Sequence, residues 1–127
     1  MNLVGLLAVG AGAAVGAWLR WGLGILLNPV FPTLPLGTFA ANLLGGLVMG
    51  VVMTLFAHFE TIPASVRLLL ATGFLGGLTT FSTFSAETVT LLLRQQPGWA
   101  AVEIVAHVSG SILMTLAGVG ITRLVLR

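Results

Sequence analysis

The sequence contains no cysteine, lysine or tyrosine, and charged side chains make up only 6% of its 127 residues. Without cysteine, disulfides and thiolate metal sites are excluded. A soluble domain carries about 25% charged residues, so this chain has too few polar groups to cover a surface that faces water. Its 5 basic side chains, all arginine, form no cluster. Nucleic-acid binding is therefore not expected, because phosphate contacts require a dense basic patch.

What the chain does contain is apolar: 57% of its residues are hydrophobic. This composition predicts an all-α integral membrane protein with the lipid bilayer as its solvent. At this length, residues 1–127 are expected to form a single transmembrane domain. The amino-terminal segment lacks a basic region before its apolar run, so we interpret it as a retained helix, not a cleaved signal.

Apolar stretches long enough to span a bilayer, about 20 residues, occur four times. They cover residues 3–27, 37–57, about 63–93, and 99–125. The third stretch is long for one span and contains Gly76-Gly77-Leu78-Thr79-Thr80 near its middle. Two shorter helices, at about 64–75 and 80–93, are therefore predicted, with a break between them.

The arginines indicate how the spans are oriented. With four spans, both termini share one side with the loop after the second span, and that side holds Arg67, Arg123 and Arg127. The other side holds Arg94 and, at most, Arg20. Because this positive-inside bias is weak, the chain is predicted to insert either way up and to form an antiparallel, dual-topology homodimer.

The predicted break and Asn42 are candidates for an ion site. An interrupted helix leaves carbonyls at its first end, which suit a cation, and amides at its second, which suit an anion. A kink that serves packing alone remains the alternative. Asn42 is the only side-chain amide within a span, and it either forms an interhelical hydrogen bond or donates to an anion in a pore.

The fourth span carries polar residues at intervals of four, which places them on one helical face. They are Glu103, His107, Ser111 and Thr115. This stripe favours a hydrated path, although serine and threonine also bond back to their own helix. No second histidine or carboxylate is obviously placed with His107, so a metal site there is not expected.

Two other patterns have packing as their simpler interpretation. Gly12 and Gly16 in the first span, and Gly46 and Gly50 in the second, recur at four-residue spacing, which allows helices to approach closely. Phenylalanines 81 and 84 share a face of the second half-helix, where they either pack or turn positive ring edges towards an anion.

With these residues in view, the sequence resembles the CrcB/Fluc family of fluoride channels. The matching motifs are GAWLRW at 16–21, GTFAANLLG at 37–45 and GFLGGLTTFSTFSAE at 73–87. The resemblance implies a fluoride-selective channel that passively exports fluoride from the cytoplasm across a bacterial inner membrane. It further implies an antiparallel homodimer with two pores, each lined by both subunits, and no protein cofactor.

The resemblance also assigns roles to individual residues. Carried over one by one, the fluoride pore comprises an amide, two phenylalanine ring edges and three hydroxyls: Asn42, Phe81, Phe84, Ser111, Thr115 and Thr83. Arg20 and Glu87 correspond to vestibule residues. Backbone carbonyls of Gly76 and Thr79 from each subunit would hold a structural sodium ion, which is not transported, at the dimer centre.

The main alternative is a small proton-coupled multidrug exporter, which also has four spans and dual topology. That class needs a membrane-embedded glutamate in its first span, where this chain has only Arg20 as a charged residue. An enzyme is not expected, since no nucleophile and base, paired carboxylates or metal cluster stands out within the spans.

Overall fold

The computed structural model describes residues 1–127 and consists of helices joined by short loops. The helices are α1 (Leu3–Leu27), α2 (Leu36–His58), α3 (residues 64–78), α4 (Phe81–Leu93) and α5 (Pro97–Val125). Four stretches are long and apolar enough to cross a membrane, with α3 and α4 together forming the third. The prediction of an all-α chain with four spans and an interrupted third span is confirmed.

Asparagine side chains fix two helix starts. Asn2 Oδ1 accepts the Gly5 N–H at 2.7 Å and caps α1, as is typical of this residue type. Asn28 lies in a 3₁₀ turn after α1, and its Oδ1 accepts the N–H groups of Gly37 at 2.7 Å and Thr38 at 3.3 Å. The end of α1 is thereby tied to the first turn of α2.

The break in the third span is shorter than predicted and lies later in the sequence. Gly76 and Gly77 are helical, and α3 continues to Leu78 after a π-helical stretch at Leu68–Leu75. Only Thr79 (ψ 155°) and Thr80 (φ −148°, ψ 120°) are extended. The predicted interruption covered residues 76–80, but only its last two residues are extended. These are β-branched threonines, which favour extended backbone.

The break changes the packing partner of the third span. Before it, α3 packs mainly against α1; after it, α4 packs against α5. Helix α2 lies between these pairs and contacts both α1 and α5. The interruption therefore allows one span to cross from one side of the bundle to the other.

Glycines set the closest helix contacts. A Cβ at Gly16 would lie 2.1 Å from the Phe74 carbonyl oxygen of α3, and one at Gly50 would lie 2.1 Å from the Thr115 carbonyl oxygen of α5. Both distances are too short for any side chain. The interpretation of the glycine spacing as close helix packing is confirmed.

The outer surface is apolar. Only 21 of 127 residues are buried within the chain, and large side chains such as Trp18, Trp21 and Leu116 are exposed by more than half. Monomeric soluble proteins rarely expose contiguous apolar patches of this extent. The surface is suited to lipid and to contact with a second membrane-embedded chain.

The contact between α1 and α3 predicts a difference between two Gly→Ala substitutions in one helix. Gly16→Ala forces the α3 backbone away and is expected to cost about 1–3 kcal/mol or more. Gly22→Ala is the matched control, because a Cβ there meets no atom within 4 Å. Unfolding of the purified protein by SDS titration measures both changes, and equal stability of the two variants would contradict the packing described.

Candidate functional site

A groove of about 470 Å³ lies between α2, the break and α5. Its lining brings together most of the residues implied by the sequence resemblance: Asn42, Gly76, Thr79, Phe81, Phe84, Ser111 and Thr115. His107 and Thr80 line it as well. Residues from four separate stretches of the chain thus meet at one place, beside the only non-helical backbone in the third span.

Asn42 on α2 pairs with the extended backbone of the break. Its Oδ1 accepts the Thr80 N–H at 2.8 Å, and its Nδ2 donates to the Thr80 carbonyl at 3.1 Å. Non-helical backbone at membrane depth is tolerated only where such groups find partners within the protein. The interhelical bond expected as one role of Asn42 is therefore present. Nδ2 also lies 3.0 Å from His107 Nδ1, so both amide hydrogens are directed at partners.

The two threonines of the break are held by their own side chains. Thr80 Oγ1 accepts the Thr83 N–H at 3.0 Å and caps α4, and Thr79 Oγ1 donates to the Leu75 carbonyl at 2.8 Å. The Thr79 methyl group packs against Gly45, where a Cβ would lie 2.1 Å from it. The position of Thr80 immediately before a helical run is a capping signal in the sequence, although the sequence resemblance assigns it no role.

Two backbone carbonyl groups near the end of α3 have no hydrogen-bond donor within the chain. The carbonyl oxygens of Gly76 and Thr79 accept no hydrogen bond, and both residues line the groove. The Gly77 carbonyl instead accepts the Nε–H of Arg20 at 3.1 Å. Arg20 is thus anchored to the end of α3 and does not line the groove.

The two phenylalanines form an edge-to-face pair with centroids 5.4 Å apart. Phe84 is 8% exposed, whereas Phe81 is 76% exposed. Both line the groove, as expected if they share a face, but only Phe84 is enclosed by this chain. The ring of Phe81 is largely uncovered by the rest of this chain.

The hydroxyls on α5 differ in their freedom to donate. Thr115 Oγ1 lies 3.0 Å from both the Gly46 and the Ser111 carbonyl oxygens, so its single hydrogen already has an acceptor. The Ser111 hydroxyl makes no hydrogen bond and lines the groove. Thr83 lies outside the groove lining and contributes its backbone N–H to the Thr80 cap.

His107 does have carboxylate neighbours, contrary to the sequence expectation. Glu103 Oε1 is 3.7 Å from His107 Nε2, and ligand atoms of Glu87, Glu103 and His107 all lie within 4.8 Å of one another. Glu87 Oε2 accepts the Thr38 hydroxyl at 2.6 Å. The proximity of Glu103 to His107 follows from their four-residue spacing on α5. Glu87 joins them only because α4 packs on α5, which spacing along one helix cannot reveal.

The hydrogen bonds of this cluster do not suit a metal ion. Asn42 Nδ2 donates to His107 Nδ1, so the hydrogen of the neutral ring lies on Nε2, the nitrogen that faces Glu103. A metal ion binds a ring nitrogen that carries no hydrogen. If Nε2 bound a metal, the hydrogen of the neutral ring would lie on Nδ1, where it would face the N–H donor of Asn42. We therefore interpret the cluster as a hydrogen-bonded network.

Comparison with known proteins places this arrangement in a family context. The sequence model of the family described as CrcB-like protein, Camphor Resistance (CrcB), matches residues 7–119. A protein of Nitrosospira multiformis named fluoride-specific ion channel FluC is 60% identical over 94% of this chain and 93% of its own length. Proteins with the same name from Aromatoleum aromaticum and Pseudomonas putida are 58% and 56% identical, over 92% and 91% of this chain and 89% and 91% of their own lengths.

The capping role of Thr80 predicts a difference between two isosteric substitutions at threonines near the two ends of α4. Thr80→Val removes the acceptor for the Thr83 N–H and is expected to destabilise the protein by about 1 kcal/mol. Thr90→Val, the matched control, loses only a bond to the carbonyl of Ala86 in its own helix. SDS-titrated unfolding compares the two variants. A Thr80→Val variant as stable as Thr90→Val would show that the cap contributes nothing.

Proposed function

Because the chain belongs to the CrcB family, we propose that it forms a fluoride-selective channel through which fluoride leaves the bacterial cytoplasm passively. The relatives named above are fluoride-specific ion channels. Their names also agree with the prediction that the chain is not an enzyme. The structure supports the proposal through one observation above all: Asn42 lines the groove beside Ser111 and Phe84, and one of its amide hydrogens is directed at His107, which lines the same groove.

The donors in this groove have the strength that passage of fluoride requires. Fluoride holds its water tightly, so a pore must offer replacement donors, yet these must bind weakly enough to release the ion. The Asn42 N–H, the free Ser111 hydroxyl and the positive ring edge of Phe84 are neutral donors. No lysine or arginine lines the groove, so no fixed cation is present to trap the anion.

Two of the expected donors acquire more specific roles. Thr115 serves first as a link between α5 and the Gly46 carbonyl of α2, and it donates to fluoride only when that bond opens. The amide hydrogen of Asn42 that faces His107 is the one available to an ion, because the other is bonded to Thr80. Selectivity over chloride would then follow from the width of the path, since chloride is the larger ion.

We also propose an antiparallel dual-topology homodimer with a structural sodium ion at its centre. The free carbonyl oxygens of Gly76 and Thr79 support this, because hard cations prefer oxygen ligands. Two subunits related by a two-fold axis would supply four such oxygens, and sodium would neutralise the negative ends of both α3 helices. The exposed face of Phe81 is consistent with pores that both subunits line.

Fluoride export through this channel would be passive and would cross the inner membrane. The chain has no phosphate-binding loop or other energy-coupling motif, so the fluoride gradient and the membrane potential would drive export across the inner membrane. A proton-coupled multidrug exporter would need a carboxylate in α1, where Arg20 is the only charged side chain.

Purified protein in liposomes tests this function. Vesicles loaded with fluoride should lose it rapidly down its gradient, as read by a fluoride electrode, whereas chloride-loaded vesicles should retain their chloride. The absence of fluoride efflux from vesicles that contain correctly folded protein would refute the channel.

A variant pair tests the ring edge in the same assay. Phe84→Ile keeps an apolar side chain but removes the ring edge from the groove, so fluoride efflux should fall by about tenfold, the effect of losing roughly 1.4 kcal/mol of interaction. Phe59→Ile, beyond the end of α2 and outside the groove, should conduct as the unmodified protein does. Equal efflux through both variants would remove Phe84 from the pathway.

Dual topology makes a separate prediction. A single cysteine introduced near the carboxyl terminus, as Leu126→Cys, adds the only thiol in the chain and keeps all 5 arginines that set the orientation bias. Impermeant thiol reagents should label about half of the molecules from each side of intact vesicles. Labelling of all molecules from one side only would establish a single orientation and exclude the antiparallel dimer.

A further inference from the structure

A continuous series of side-chain contacts leads from the break through Asn42 and His107 to Glu103. We propose that His107 is a positioning residue for Asn42, whose second amide hydrogen it holds in the groove between ions, and that Glu103 keeps the imidazole in the tautomer this task requires. The inference rests on the proposed function, in which Asn42 donates to fluoride. It concerns residues that the sequence resemblance left without a role.

The orientation of the Asn42 amide is fixed by the backbone of the break. Oδ1 accepts the Thr80 N–H at 2.8 Å and Nδ2 donates to the Thr80 carbonyl at 3.1 Å. A flipped amide would set donor against donor and acceptor against acceptor at Thr80. The atom that faces His107 is therefore the nitrogen Nδ2, and it brings a hydrogen.

This amide hydrogen determines which tautomer the neutral ring of His107 adopts. His107 Nδ1 lies 3.0 Å from Asn42 Nδ2, so Nδ1 must accept, and the ring hydrogen of the neutral imidazole must lie on Nε2. An imidazole protonated on Nδ1 would repel the amide and turn its hydrogen away. Only one of the two neutral tautomers is compatible with the contact.

Glu103 favours that tautomer from the opposite edge of the ring. It precedes His107 by one helical turn, is 1% exposed, and points Oε1 at Nε2 over 3.7 Å. Oε1 accepts no other hydrogen bond, while Oε2 accepts the Thr88 hydroxyl at 3.3 Å. A buried carboxylate oxygen that accepts no hydrogen bond attracts the hydrogen on Nε2, although a carboxyl oxygen of Glu87 also lies within 4.8 Å of the pair. A small movement brings Oε1 and Nε2 to hydrogen-bond distance.

Aromatic neighbours prevent the ring from turning away. The centroid of Phe84 lies 4.7 Å from that of His107 with an interplanar angle of 32°, and Phe39 lies 5.1 Å away at 59°. His107 itself is 5% exposed. The imidazole is thus enclosed between a pore-lining ring and α2, with its two nitrogens directed at Asn42 and Glu103.

This arrangement gives His107 a defined part in conduction. A neutral nitrogen is a weaker acceptor for the Asn42 hydrogen than a fluoride ion, because hydrogen bonds to charged groups are about twice as strong. An arriving ion therefore replaces Nδ1 as the acceptor of the Asn42 N–H. When the ion leaves, Nδ1 accepts that hydrogen bond again. The amide hydrogen is never left unpaired in a buried site, where an unmet donor is costly.

Two substitutions at His107 test the acceptor in the liposome assay. His107→Leu fills space without an acceptor, and fluoride efflux should fall about fivefold, the equivalent of one hydrogen bond. His107→Gln offers a side-chain oxygen to Asn42 and should restore efflux close to that of the unmodified protein. Equal loss in both variants, or no loss in the leucine variant, would overturn the proposal.

A spectroscopic measurement tests the tautomer without any flux. The chain has two histidines, and His58→Gln, at the exposed end of α2, leaves His107 alone. Nitrogen-15 NMR of histidine-labelled protein in lipid should show a bare Nδ1 and a protonated Nε2. A hydrogen on Nδ1 would overturn the inference. If the unmodified protein carries no fluoride, the proposed function fails, and this measurement still decides the positioning role.

Discussion

An unwound peptide inside a membrane must pair its N–H and C=O groups within the protein, because no water is available to them. Here Asn42 meets this requirement by bonding both the N–H and the carbonyl of Thr80. One side-chain amide replaces the helical partners of Thr80, while the neighbouring Thr79 carbonyl accepts no hydrogen bond within the chain. The other features of the site depend on this contact, since it fixes the break against α2 and orients the amide.

The paired break has consequences for the whole bundle. It lets the third span leave α1, against which glycines hold α3 at close range, and continue as α4 against α5. That change of partner brings Phe84 and Glu87 to α5, where His107 and Glu103 lie on neighbouring turns. The groove, its donors and the carboxylate–histidine network all form where the span crosses the bundle.

Much of this could be predicted from the sequence because apolar length and helical spacing are local signals. The four spans, the polar face of α5 and the participation of Asn42 all followed from them. The exact break did not, because Gly76 and Gly77 suggested an interruption but are both helical. At Gly77 a Cβ would lie 2.3 Å from the Ala13 carbonyl oxygen of α1, so close packing accounts for that glycine. The proximity of Glu87 to His107, within 4.8 Å, also escaped prediction, since it arises only when α4 and α5 pack.

Asn42 supports the break, and we propose that it also donates to the transported ion. The chain contains only three asparagines, at positions 2, 28 and 42, so asparagine-selective nitrogen-15 labelling resolves its side-chain amide by NMR in lipid. On addition of fluoride, the Asn42 hydrogen that faces His107 should shift saturably while the hydrogen bonded to Thr80 stays in place, and chloride should cause no shift. An Asn42 amide that is indifferent to fluoride would contradict the account.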